Sequence, residues 1–109
     1  MSFRVIIQPR AFDDLDEAYQ YLSTRYSAAT ATAWYNGFLD SLYSLGENPL
    51  RFGYARENHK FAGEIRQLLY RRHKTVHRAL YTVEDDAVRI LCIRHSAQRD
   101  VRPEDISGR

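Results

Sequence analysis

Cysteine is almost absent from this chain: Cys92 is the only one in 109 residues. No intramolecular disulfide can form, and a reducing cytosol is the compartment that fits. Methionine and tryptophan occur once each and lysine twice, so the positive charge rests on fourteen arginines. Long hydrophobic runs are missing too. No apolar stretch approaches the roughly 20 residues that cross a bilayer, so the sequence implies no membrane partner. The opening MSFRVIIQPR has a short apolar stretch before Pro9 and no small-residue cleavage site, and does not read as a secretory signal. Repeats, low-complexity tracts and linkers are absent. The length therefore reads as one domain, residues 1–109, with 100–109 a polar tail. A chain of this size buries roughly two-thirds of its unfolded surface and needs no disulfide or metal staple.

What is present is unevenly placed. Residues 1–50 carry three basic and six acidic residues, and residues 51–109 carry thirteen basic and eight acidic. Arginine offers a planar fork suited to phosphate, carboxylate and stacked bases. The C-terminal half therefore suits an anionic partner, nucleic acid or an acidic protein segment, or else it is simply a solvated Arg-rich surface.

Along the chain, FRVIIQ (Phe3 to Gln8) is a short β-run that stops at Pro9, and proline suits the first turn of a helix. Asp13, Asp14, Asp16 and Glu17 follow, early in that helix, where its dipole favours negative charge. Phe12, Leu15, Tyr19, Leu22 and Tyr26 recur at 3–4 spacing as one apolar stripe. Ser27 is placed to cap a second helix with Ala31, Trp34, Phe38, Leu42 and Leu45 as its stripe. Gly37 would let that helix approach the first, and Gly46 with ENP would end it. Residues 47–63 read as irregular. Three strands follow, EIRQLLY, VHRALYTV and AVRILCIR, joined by the basic turn RRHKT and the tight turn EDD. A helical turn begins at Pro103.

The order β-α-α-β-β-β implies an α+β fold: a helical hairpin on one face of a small, mainly antiparallel sheet. The other face would then be free. Alternation within the strands puts Arg66 beside Leu68, and Arg78 beside Val76, Leu80 and Thr82, so Arg66 and Arg78 are expected to share that open face. The last strand ends abruptly in RHSAQRD, which would deliver His95, Arg94 and Arg99 to its rim. Each residue has a plainer reading. His95 would cap the strand locally, Arg78 would pair with a tail acid such as Asp100 or Glu104, and Arg99–Asp100 would be a local ion pair worth little. His73 and His77 sit four apart in a turn and strand, not on a helix, which argues against a metal site. Cys92 reads as a small core residue. No cofactor is implied.

The chain resembles the RelE/ParE superfamily of bacterial toxins from type II toxin–antitoxin (plasmid stabilisation) modules. The resemblance runs from the opening strand into PRAFDDLDEAYQYL, through ATAWYNGFLDSLYSL ending in ENP, to EIRQLLY, HRALYTVEDDAVRILCIRH and the final SAQRD. It implies a growth-arresting toxin held inactive in a hetero-oligomer by a cognate antitoxin. Its target would be DNA gyrase for ParE-like members, or the ribosome with its mRNA for RelE-like members, which cut mRNA without a metal.

Metal-free RNA cleavage needs a base for the 2′-hydroxyl, an acid for the leaving oxygen and a cation for the phosphorane charge. By resemblance Arg78 matches the phosphate-binding arginine of nuclease members, His95 the general acid and Glu57 a general base. Those members usually follow the histidine with tyrosine, and here it is Ser96. RHSAQRD resembles instead the His-small-small-Arg-Asp ending of ParE-like members, so the resemblance leans that way. On it, Arg66, Arg78, Arg94, His95 and Arg99 would bind target or antitoxin, and there is no catalytic set. A non-toxic binding module of the same fold is the reading from another class.

Overall fold

The computed structural model describes residues 2–72 and 74–106. The four-residue β1 (Arg4–Ile7) stops where Pro9 fixes φ and removes an amide donor. Pro9 then opens α1 (Pro9–Arg25). Its buried positions are Ala11, Leu15 and Leu22, with Ala18 half-buried, whereas Phe12 and Tyr26 remain exposed. The expected stripe is thus rotated toward the alanines, whose small side chains let the helix lie close to the sheet. None of the acids falls in the first turn.

Ser27 caps α2 (Ala28–Tyr43) as its position predicts: Oγ accepts from the Thr30 N–H at 3.0 Å. Ala31, Trp34, Phe38 and Leu42 are buried, and Leu45 joins them from a 3₁₀ turn over Ser44–Gly46. Gly37 does not serve α1. It admits Tyr70 from the sheet, and a β-carbon there would stand 2.3 Å from the Tyr70 hydroxyl oxygen. Gly46 brings the end of the hairpin onto the start of β1, accepting the Phe3 N–H at 2.7 Å.

The sheet contains β2 (Arg66–Arg72), β3 (Thr75–Glu84) and β4 (Ala87–His95) as an antiparallel meander. Its order is β1-β4-β3-β2, with β1 parallel to β4. Asp85 takes φ 49° in the two-residue turn before β4, a conformation aspartate tolerates better than most residues. A bulge between Leu80 and Tyr81 leaves Leu91 without a partner on β3. The hairpin packs on Leu68, Ala79, Tyr81, Val88, Ile90 and Ile93.

The opposite face is not free. The 47–64 segment and the tail cross it, and Ala55, Ile65, Leu80, Cys92 and Val101 form a second core with Phe61, Leu91 and Ile106. Side chains from both segments bury the apolar half of that face, which a two-layer reading leaves in water. Nor do Arg66 and Arg78 share a face. Arg66 pairs across the ladder with Tyr81, and Arg78 with Leu69 and Arg94, so they point to opposite sides. Alternation within each strand is as expected; the register between strands, invisible in either strand alone, overturns the pairing. The tail does form one turn, α3 (Pro103–Ile106).

Candidate functional site

Glu57 and Arg78 meet under the second core. The Arg78 guanidinium donates to both carboxylate oxygens of Glu57, Nη1 to Oε1 at 2.9 Å and Nη2 to Oε2 at 2.7 Å. Nη1 also donates to Gln67 Oε1 at 3.0 Å. From the tail, the Val101 N–H donates to Glu57 Oε2 at 2.9 Å. Glu57 is 0% exposed and Arg78 2%. Burial pushes the Glu57 carboxyl up, but the hydrogen bonds from Arg78 and Val101 and the Arg78 charge outweigh it and hold the carboxyl at about 2. Arg78 thus pairs with a loop acid and with neither Asp100 nor Glu104. Asp100 instead binds Arg56 and, at 3.6 Å, Lys60.

A groove of about 840 Å³ opens on the other side of β4, against α1. It exists because β1 ends at Ile7, opposite Ile90, and leaves that edge of β4 without a neighbouring strand from there on. Asp14 of α1 closes part of that gap: its Oδ2 accepts the Ile93 N–H at 2.9 Å while Oδ1 takes Arg10 Nε at 3.2 Å. Burial raises the Asp14 pKa despite these donors. Asp13, Glu17, Tyr21 and Tyr26 line the helical wall, and Thr75, His77, Arg94, His95 and Gln98 the sheet wall.

His95 Nδ1 accepts the Ala97 N–H at 3.1 Å, which assigns the proton of the neutral ring to Nε2. His95 therefore caps locally, as the plainer reading expects, and also faces the groove. His77 lies across the ladder from it, ring centroids 5.2 Å apart, packed edge-on against Trp34. Burial, then the neighbouring His95, pushes His77 down to about 4. The pairing of His77 with His73 lies outside the described residues.

Arg94 is 8% exposed. Nη2 donates to the Arg99 carbonyl at 3.0 Å, and Nε has no partner among the described residues. Arg99 forks onto Asp105 at 2.9 and 3.1 Å, not onto the side chain of Asp100. Arg66 lies apart, donating to the Phe52 carbonyl at 2.6 Å and stacking over Tyr54. Cys92 is buried in the second core, where burial pushes its thiol up to about 12.

The structure therefore brings Glu57 to Arg78, Arg94 to the Arg99 carbonyl and His95 to His77, but Arg66 to none of these groups. Sequence reading missed Asp14, Gln98 and Val101. Asp14 accepts the Ile93 N–H, Gln98 Oε1 accepts the His95 N–H at 2.7 Å and Val101 donates to Glu57, contacts that nothing in the local pattern of any of the three marks. No helix among the described residues is long and apolar enough to cross a membrane.

A family model, the ParE toxin of the type II toxin–antitoxin system parDE, matches residues 5–100. No curated protein sequence matches the chain. Among solved structures, the chromosomal ParDE toxin–antitoxin system from P. aeruginosa is similar at TM-score 0.70 and 19% identity, over 86% of this chain and 96% of that one. A double-arginine mutant of the E. coli toxin RelE in the free state is similar at TM-score 0.54 and 15% identity, over 89% and 86%. At these identities the likeness is one of fold.

Proposed function

Because the chain belongs to the ParE toxin family of type II toxin–antitoxin systems, we propose that it arrests growth by poisoning DNA gyrase in the cytoplasm. On this reading a cognate antitoxin binds and silences it. The observation that carries the reading is the buried Glu57–Arg78 pair. A general base must reach a 2′-hydroxyl, and a phosphate-binding arginine must reach a phosphate. Here the two candidates for those tasks are bound to each other, closed over by Val101 and away from solvent. A carboxyl held at about 2 is also a poor base near neutral pH. The ending RHSAQRD, with Ser96 after the histidine, points the same way.

One observation favours mRNA cleavage as the second reading. His95, which the resemblance matches to a general acid, stands at the groove.

Pulse-labelling after induction without antitoxin separates them. Gyrase poisoning predicts that DNA synthesis falls before protein synthesis and that the purified chain traps gyrase–DNA cleavage complexes. Ribosome-bound mRNA cut while DNA synthesis continues would overturn the proposal. Unchanged growth with the folded protein abundant would leave only a binding module.

A further inference from the structure

The turn between β2 and β3 carries charge that no other part of the fold answers. Arg4, Arg56, Arg99 and Arg102 are exposed, and each is held by a carboxylate. Arg71, Arg72 and Lys74 are exposed too, and none has a carboxylate or a side-chain hydrogen-bond partner among the described residues. The sequence keeps acids away from them. Residues 65–83 hold no aspartate or glutamate, nor do residues 18–39 and 87–99, which supply the adjoining parts of the helical hairpin and β4. Arg25 ends α1 at the same end of the molecule, beside Tyr26, which lines one groove with Thr75.

The geometry of the tip restricts the partner. The rungs Arg71–Val76 and Arg72–Thr75 lie beyond the last β3–β4 pair, His77–His95, so the tip is a two-stranded ribbon past the end of β4. Alternation puts Arg71 on the face of Leu69 and Val76, and Arg72 on the opposite face, over Gly37 of α2. Lys74 stands in the turn itself at φ 64°, a left-handed position that glycine or asparagine fills with less strain. Cations on both faces and at the tip match an anion with two charged walls. The major groove of duplex DNA is about 12 Å wide, admits a two-stranded ribbon and has a phosphate chain along each side. An acidic peptide presents one charged strip and reaches one face of the ribbon at a time. The tip also lacks the cluster of apolar anchors a protein interface needs, because Leu69 is the one large apolar side chain exposed on β2 or β3.

We propose that the β2–β3 ribbon enters a groove of duplex DNA, where Arg71, Arg72 and Lys74 hold phosphates and fix the toxin on the DNA segment of its target. Contacts to phosphate position the protein without reading base sequence. The proposal rests on the gyrase reading and deepens it.

The test uses the full chain, a duplex of arbitrary sequence and the trapped gyrase–DNA cleavage complex. Arg71→Gln/Arg72→Gln/Lys74→Asn should weaken duplex binding on the order of a hundredfold at about 0.1 M salt, and flatten the log–log salt slope by about 2–3. Arg4→Gln/Arg89→Gln, at the far end of β4, should change binding by no more than about threefold. A photo-crosslinking residue at Leu69 should join DNA in the cleavage complex. If the triple variant does not fold by its melting curve, Arg71→Glu, on the face away from α2, should still weaken binding about tenfold. A triple variant that binds duplex and traps cleavage complexes like the parent overturns the ribbon and leaves the gyrase reading standing. So does a parent chain that binds no duplex at about 50 mM salt while still trapping complexes. Crosslinking of Leu69 to gyrase protein alone overturns the choice of nucleic acid, and tighter binding to single-stranded RNA of the same length overturns the choice of duplex DNA. Ribosome-bound mRNA cut with no cleavage complex trapped overturns the gyrase reading itself.

Discussion

Glu57 and Arg78 hold opposite charges almost without water, and the consequence is asymmetric. Removing either one strands the other. Glu57→Gln or Arg78→Met should each destabilise the fold by about 3–5 kcal/mol, lowering Tm by on the order of 15 °C. Replacing both together, Glu57→Leu with Arg78→Met, should be far milder than the sum, which a double-mutant cycle by chemical denaturation measures. Acid acts on the same residues. His77 has a folded pKa depressed from 6.5 to about 4, and Glu57 one depressed from 4.5 to about 2. In both windows the unfolded chain binds more protons, so stability falls as pH drops from 6.5 through 4, and again from 4.5 through 2. Asp14, shifted upward, has the opposite sign and opposes this decline weakly around its own titration. His77→Phe keeps the ring against Trp34 and removes a buried nitrogen with no partner among the described residues. It should flatten the upper window in Tm-versus-pH curves and leave the lower one unchanged. Gly37 is the remaining sensitive position. The Tyr70 ring cannot swing away from a new methyl group, because it stacks on Phe38 at 4.5 Å and bonds the Trp34 carbonyl. Gly37→Ala should therefore cost about 1–3 kcal/mol in denaturant melts.

At the level of elements, the most exposed liability is the outer edge of the last half of β4, where no strand lies beyond β1's end. Asp14 protects one amide of it. Asp14→Ala should speed hydrogen exchange at Ile93 selectively, with little change at Ile90, which still lies against β1. The elements themselves were legible in the sequence, because Pro9, Ser27 and the alternating runs each act within a few residues. The second layer was not. Residues 47–63 look irregular because they have no repeating hydrogen-bond partner of their own. Ala55 and Phe61 find burial only in a core shared with strand residues far along the chain, Leu80 and Cys92. The candidate site was legible as a set of residue types and illegible as an arrangement. Glu57 and Arg78 were both picked out, but as separate agents facing a substrate. Which atoms they spend on each other depends on the β2–β3–β4 register and on Val101, and neither is encoded locally.

Over the whole molecule, the charge split becomes an orientation. The acidic residues of α1 line one wall of the groove, and the arginines dominate the sheet and tail. Exposed charges of this kind act over about 10 Å at 0.1 M salt. Binding to a DNA-bearing target through the arginine-rich side should weaken as salt rises from about 50 to 200 mM, with a steep log–log slope that titration by fluorescence anisotropy would report. Truncation before Asp100 should affect the molecule globally. It removes the Val101 cap from Glu57 and Asp100 from Arg56 and Lys60, so the second core should open and bind a hydrophobic dye.

The sheet order has a last consequence, and it concerns time. β1, Arg4–Ile7, has its ladder partner far along the chain in β4, Ala87–His95. At about 5–20 residues per second, β1 waits several seconds for that partner to emerge. Until then the nascent chain has a helical hairpin with no sheet beneath it, and neither the buried pair nor the groove exists. The buried pair and the groove therefore form together, late, once β4 has been made.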